Sequence, residues 1–191
     1  MEVIETHIPG VVLLRPRVFE DARGYFFESY AQQDFDAQVR PVRFVQDNES
    51  GSSYGVVRGL HFQKGACSQS KLVRVIEGRV LDIAVDIRRG SPTFGQHVRA
   101  ELSAENRLQF FIPRGFAHGF SVLSPKAVFQ YKCDRFYAPL QEGAIAWDDP
   151  DLAIDWGIPA GDVILSAKDR NHPRLRDCQD LFDYNEDLYA I

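Results

Sequence analysis

No stretch of apolar residues in the 191-residue chain approaches the roughly 20 that a membrane-spanning helix needs. The opening residues, MEVIETHIPG, are acidic and lack the basic-then-apolar order of a secretory leader. No cluster of Lys and Arg stands out against a net charge of −5, so the electrostatic footprint of a nucleic-acid binder is missing. A small anion held by one or two placed arginines is still allowed. Cysteine is scarce: Cys67, Cys133 and Cys178 are odd in number and have neither metal nor redox spacing. They read as reduced thiols of a soluble cytoplasmic protein. A single Met stands against 14 Phe and 7 Tyr, which points to a stiff, aromatic-lined interior.

What is present is a succession of short β-type runs. Val11–Val18, Tyr25–Tyr30, Arg43–Asn48 and Arg79–Arg88 read as strands, and Ala31–Val39 is the best early helix candidate. Ser50–Gly55 reads as a flexible loop and Pro113–Gly119 as another. Gln96–Leu102 with Arg107–Ile112, and Phe120–Leu123 with Ala127–Cys133, read as hairpins. In Arg79–Arg88, Leu81, Ile83, Val85 and Ile87 share one face, and Asp82, Ala84 and Asp86 the other. After Glu142 the pattern loosens, and the tail beyond about residue 177 reads as peripheral, with short helices around Asp177–Leu188. Many short strands with frequent turns predict an all-β sandwich or barrel. A two-sheet jelly roll is the expected form, and its mouth is a natural pocket. No linker composition divides the chain, so residues 1–191 are expected to form a single domain.

The stretch Val56–Glu77 concentrates chemistry, with Arg58 and His61 on one run and Lys71 on the next. Alternation would put Val57, Gly59 and His61 on one face, and Gly59 leaves room beside the imidazole. His61 is either a base or a half-exposed structural residue. If the two runs pair antiparallel about a loop near Ala66, Lys71 falls opposite His61 and holds it neutral; otherwise it is an edge lysine. His118 lies in Pro113-Arg114-Gly115-Phe116-Ala117-His118, a pattern resembling the second motif of the cupin superfamily. The first cupin motif needs His-x-His, whereas this chain has His61-Phe62-Gln63. A catalytic metal wants about three protein ligands, so no metal is expected. Tyr131 is a general acid or a packing residue, and Asp169 orients a histidine or lies solvated.

In chain order the motifs are F-x-D-x-R-G-x-F at Phe19–Phe26, Q-D-N at Gln46–Asn48, V-R-G-L-H-F-Q at Val57–Gln63 and K-L-V-R-V at Lys71–Val75. P-x-G-F-A-H-G-F at Pro113–Phe120, Y-K at Tyr131 and S-x-K-D at Ser166–Asp169 follow. Together they resemble the dTDP-4-dehydrorhamnose 3,5-epimerase family over nearly the whole chain. That resemblance implies a homodimeric cupin-like jelly roll without metal or other cofactor, acting on a dTDP-4-keto-6-deoxyhexose. It implies His61 as base, Asp169 as its partner, Tyr131 as acid and Lys71 near the sugar 4-keto oxygen. Phe19, Arg23, Glu28, Gln46, Asp47, Asn48, Arg58, His118, Glu142 and Lys168 match positions that hold the nucleotide-sugar, with Phe19 and nearby aromatics at the thymine, partly across the dimer. Epimerisation at C3 alone or C5 alone, and binding without catalysis, are the competing expectations.

Overall fold

The structure, a computed structural model, describes residues 1–190. Its first elements are β1 (Glu2–Glu5), β2 (Val12–Arg15), β3 (Val18–Asp21), β4 (Gly24–Phe27) and the helix α1 (Gln32–Gln38). The central strands are β5 (Gln46–Ser53), β6 (Val57–Gln63), β7 (Lys71–Glu77), β8 (Arg79–Asp86), β9 (Arg88–Arg89) and β10 (His97–Ser103). They are followed by β11 (Gln109–Ile112), β12 (Phe116–Val122), β13 (Lys126–Cys133), β14 (Glu142–Ala144) and β15 (Phe182–Asp183). One 6-stranded sheet has the order β1-β2-β11-β7-β13-β5, and a 5-stranded sheet has the order β10-β8-β12-β6-β14. This is the cupin-like all-β jelly roll that the pattern of short strands predicts.

Three apolar layers hold it together. Between the sheets, Val73, Val75, Phe110 and Phe129 meet Val80, Ala84, Leu102 and Phe120. Outside the 6-stranded sheet, α1 presses Phe35 onto Leu14, Leu72 and Phe111. Outside the 5-stranded sheet, Ile145, Trp156, Leu175, Phe182 and Leu188 cover Leu60, Phe62, Ile83 and Val85. The tail expected to be peripheral is therefore a packing layer. It is also clamped by polar bonds: buried Arg114 donates to the Leu188 carbonyl at 2.7 Å, and the Tyr189 and Ser70 hydroxyls meet at 2.7 Å. Its local structure is one short 3-10 turn at Leu175–Asp177 and strand β15, not a run of short helices.

Double-sided cover explains β8. The expected alternation holds, but every residue from Val80 to Asp86 is buried, so Asp82 and Asp86 need partners in the interior. Asp86 finds Arg88 at 2.7 Å, together with Ser91 and Thr93.

Several expected pairings are overturned. β6 and β7 do not pair: β6 lies between β12 and β14, and β7 between β11 and β13, so His61 and Lys71 sit in different sheets. The two expected hairpins are corners as well, since β10 leads to β11 and β12 to β13 across the sandwich. A short polar turn serves either geometry, and the choice is made by which strands can bury both faces. Ser50–Ser53 belongs to β5 and Phe116–Gly119 to β12, where flanking strands pair with them and no loop forms.

Gly59 sets the phase of β6. Val57, Leu60 and Phe62 all belong to the outer apolar layer, so Val57 does not share a face with His61. The slip coincides with a register shift against β12 and with Gly59 at φ +133°. Arg58 lies opposite Phe120 and His61 opposite His118, so the slip puts both on the face of β6 turned to the facing sheet, with Arg58 exposed at its rim. A Cβ on Gly59 would come within 2.5 Å of the Gly119 Cα. Gly59→Ala is expected to cost about 2–4 kcal/mol, from positive-φ strain plus backbone overlap. Urea unfolding measures this, and an unchanged midpoint would show that the strand tolerates a side chain there.

Candidate active site

A cavity of about 290 Å³ opens at one end of the sandwich. His61 and Gln63 of β6 line it from one sheet, and Lys71, Tyr131 and Cys133 of β7 and β13 from the other. Gln46 and Asn48 of β5 form one side, and Tyr137 and Glu142 another. The sequence-predicted base and acid thus reach one space from opposite sheets.

His61 Nε2 lies 2.6 Å from Asp169 Oδ1. This commits Nε2 to the carboxylate and leaves Nδ1 as the nitrogen able to accept a proton. Asp169 is buried at the head of a 3-10 turn, Asp169–Asn171, and the Ser166 hydroxyl donates to its Oδ2 at 2.9 Å. His172 Nε2 approaches the same Oδ1 as His61, at 3.1 Å. Burial pushes the Asp169 carboxyl up, but the bonds from His61, Ser166 and His172 outweigh it and hold it at about 2.

Beneath the cavity lies a second buried polar group. His118 Nε2 meets Asp82 Oδ1 at 2.9 Å and Oδ2 at 3.1 Å, with both residues interior. Burial lowers the His118 imidazole and raises the Asp82 carboxyl. Burial likewise lowers the Lys71 ammonium, against the opposing attraction of Cys133, Asp82 and Glu142. Lys71 Nζ stands 5.8 Å from the centre of the Tyr131 ring. Burial raises the Tyr131 phenol, which keeps its proton on, and pushes the Cys133 thiol up to about 11.

At the rim, Glu142 Oε2 accepts from Lys168 Nζ at 2.5 Å and from the Tyr137 hydroxyl at 2.8 Å. Burial raises the Glu142 carboxyl, but the Lys168 and Tyr137 bonds prevail and hold it below its ordinary range. Arg58 is held on Ser52 Oγ at 3.1 and 3.2 Å. Gln46 donates to Asn48 Oδ1 at 3.0 Å and accepts from the Tyr137 backbone at 3.0 Å.

Some residues matched by resemblance stand apart from this cavity within one chain. Asp47 alternates outward on β5 and pairs with Lys132 at 3.0 Å. His118 is held beneath the cavity by Asp82 rather than lining it. Phe19, Arg23 and Glu28 belong to the β3–β4 arm and its approach, beside other surface hollows. Arg23 has 90% of its side chain exposed and bonds only to Asp21 among the described residues. Residues not singled out from the sequence also line the site, chiefly Tyr137, Gln63 and Gln69. Their only signal was proximity to Tyr131, His61 and Lys71 in the chain. His172 had a clearer one, a second imidazole three residues after Asp169.

The metal geometry of the cupin motifs is not reproduced. His118 is tied to Asp82 and His61 to Asp169. Among the described residues, the group close enough to share an ion is His61, Asp169 and His172.

Fold and site together define a cupin-like jelly roll whose mouth gathers a carboxylate-bound imidazole, a phenol that keeps its proton and a partly buried lysine. The comparisons with known proteins specify the family. Residues 5–177 match the family model described as dTDP-4-dehydrorhamnose 3,5-epimerase, and the chain belongs to that family. The dTDP-4-dehydrorhamnose 3,5-epimerase of Pseudomonas aeruginosa is 55% identical over 179 residues, 93% of this chain and 97% of that protein. The solved dTDP-6-deoxy-D-glucose-3,5-epimerase of Legionella pneumophila, in complex with dTDP-4-keto-L-rhamnose, is 46% identical with a TM-score of 0.93, covering 97% of this chain and 99% of that one. ChmJ, a 3'-monoepimerase from Streptomyces bikiniensis solved with dTDP-quinovose, is 31% identical with a TM-score of 0.84, covering 91% and 87%.

The Asp169 carboxyl, at about 2 against an ordinary 3.8, is held ionised by the fold. Its stabilising contribution is complete above about pH 5 and disappears as the pH falls through about 4 toward 2. The stability difference between wild type and Asp169→Asn should follow that course in urea unfolding. A difference independent of pH would show that His61, Ser166 and His172 do not hold the charge.

Proposed function

We propose that this protein is a dTDP-4-dehydrorhamnose 3,5-epimerase. It inverts C3 and C5 of dTDP-4-dehydro-6-deoxy-D-glucose to give dTDP-4-dehydro-L-rhamnose, in the supply of dTDP-L-rhamnose for surface polysaccharide. The observation that carries this reading is the approach of His61 and Tyr131 to one cavity from opposite sheets, with Lys71 beside Tyr131.

The C–H bonds at C3 and C5 of a 4-keto sugar are acidic because loss of either proton gives an enolate. His61 Nδ1 takes the proton, and the ionised Asp169 stabilises the imidazolium and fixes its orientation. The electron pair moves onto the 4-keto oxygen, where Lys71 offers a positive charge in a desolvated setting; a preorganised donor of this kind is worth about 3–4 kcal/mol. Tyr131, kept protonated by burial, returns a proton to the opposite face and the centre is inverted. The ketone is already in the substrate, so the step needs no redox cofactor.

Arg58, with Arg23 of a second copy, suits the diphosphate, and Gln46, Asn48, Glu142 and Lys168 the sugar and its surroundings. Phe19, Arg23 and Glu28 act from a second copy of the chain: the β3–β4 arm carries exposed Phe19, Tyr25 and Phe26 and is suited to reach a neighbouring site in a homodimer. Asp47 pairs with Lys132 outside the cavity of its own chain. Residues 1–191 act as a single domain. The unpaired Cys67, Cys133 and Cys178 suit the cytoplasm, where thiols stay reduced. Among the described residues no helix is long and apolar enough to cross a membrane.

Identity to the 3,5-epimerases exceeds identity to the 3'-monoepimerase, which favours inversion at both carbons. Product NMR in deuterated water tests this, since a C3-only or C5-only enzyme leaves one centre with its original configuration. His61→Ala should abolish solvent deuterium incorporation at both carbons, and persisting exchange would remove His61 as base. Tyr131→Phe should still exchange protons but invert at least about a hundredfold more slowly. Undiminished inversion there would sink the acid assignment. Mixing inactive His61→Ala and Arg23→Ala chains should restore activity, and failure of a verified mixed dimer would return Arg23 to a role within its own chain.

A further inference from the structure

The acid–base reaction uses His61 and Asp169, and His172 takes part in it only through its bond to Asp169. His172 is nearly buried, with 10% of its side chain exposed, and its Nε2 points at the same Asp169 oxygen as His61 Nε2. The two imidazole planes meet at 88° with centroids 5.7 Å apart, so two nitrogens converge on one carboxylate from nearly perpendicular rings. The three ligand atoms lie within 4.8 Å of one another. We propose that His61, Asp169 and His172 form a binding site for a divalent transition cation of the zinc class, and that occupancy silences the enzyme. The silencing half of this inference rests on the role of His61 as base.

Two imidazoles and one carboxylate are a set that zinc accepts, with a water in the fourth position. Zn–N and Zn–O bonds of about 2.0–2.1 Å place tetrahedral ligand atoms about 3.3 Å apart. The present N···O separations are 2.6 and 3.1 Å, close to that spacing. His172 lines a second hollow with Lys64, Lys168, Cys178 and Asp180, which adjoins the sugar cavity through Phe62 and Glu142. Glu142 lines the same hollow as His172, and its charge is partly offset by Lys168.

The consequence for His61 follows from proton counting. A metal bound to Nε2 uses that lone pair, so the one remaining ring proton of a neutral imidazole sits on Nδ1. Nδ1 is the nitrogen that must accept the sugar proton, and it then has no lone pair to offer. The cation also displaces the shared proton that ties His61 to Asp169. Zinc therefore acts against this enzyme rather than as its cofactor.

The test uses full-length protein freed of metal with EDTA and then titrated with Co²⁺, read by visible absorption, and with Zn²⁺, read by turnover. Wild type should bind one Co²⁺ per chain with the absorption of a tetrahedral site, and Zn²⁺ should slow turnover reversibly on addition of EDTA. His172→Gln and His172→Asn, each normalised to its own zinc-free rate, should be at least roughly tenfold less sensitive and lose the Co²⁺ spectrum. Cys178→Ser should behave as wild type. Equal zinc sensitivity in the His172 variants, sensitivity lost only in Cys178→Ser, or no saturable Co²⁺ binding would each overturn the proposal. Co²⁺ binding that depends on His172 without any slowing by zinc would overturn the silencing and count against His61 as base. Absent binding alongside an inactive His61→Ala overturns the metal site alone.

Discussion

The bond between His61 and Asp169 spans 108 positions of chain and joins a strand of the sandwich to the segment wrapped outside it. An ionised carboxylate this deeply buried survives only if its oxygens are satisfied, and His61, Ser166 and His172 do this together. The turn bearing Asp169 must therefore be held in place. Leu175 donates to Asp149 Oδ2 at 2.7 Å, Ala146 donates to Pro173 O at 2.8 Å, and Ile164 forms a bridge to Val56 at the start of β6. Trp156, Leu175, Phe182 and Leu188 supply the apolar anchorage. The outer layer of the C-terminal segment is thus part of the site's support.

A second constraint acts below the cavity. Asp82 and His118 are interior and Lys71 lines the cavity beside them; burial pushes each toward its neutral form, and attraction between Asp82 and the two cations opposes the push. A charge that develops in such a setting is poorly screened by water, so a nearby ammonium acts on it strongly. Aromatic packing backs this group: His118 stacks on Phe129, which in turn stacks on Phe120 at 4.2 Å. The aromatic-rich composition serves the electrostatics as well as the core.

Much of this was legible without coordinates. The series of short strands pointed to a jelly roll, and alternation in β8 was readable because its two faces carry different residues. His61, Lys71, Tyr131 and Asp169 stand out as chemistry-bearing types within recognisable motifs. The misread strand pairings share one cause. A turn such as Ser124-Pro125-Lys126 joins two strands whether they pair or face each other, and local residues do not distinguish the cases. Gly59 was readable as a close-approach position, but its phase slip depends on the backbone of Gly119, sixty residues away. Tyr137 has no motif of its own and enters the site because Glu142 and the Gln46 side chain hold it there.

The amino-acid sequence by itself determined the all-β class, the early helix and the kinds of group available for acid–base work, because these follow from local periodicity and side-chain chemistry. Only the tertiary structure decided which groups meet. It set His61 and Tyr131 on opposite walls, moved Lys71 from a partner strand to a facing sheet, gave Asp169 two imidazoles, and placed Phe19, Arg23 and Glu28 away from the cavity of their own chain. These outcomes depend on burying both faces of each sheet at once, a condition no single stretch of chain can express.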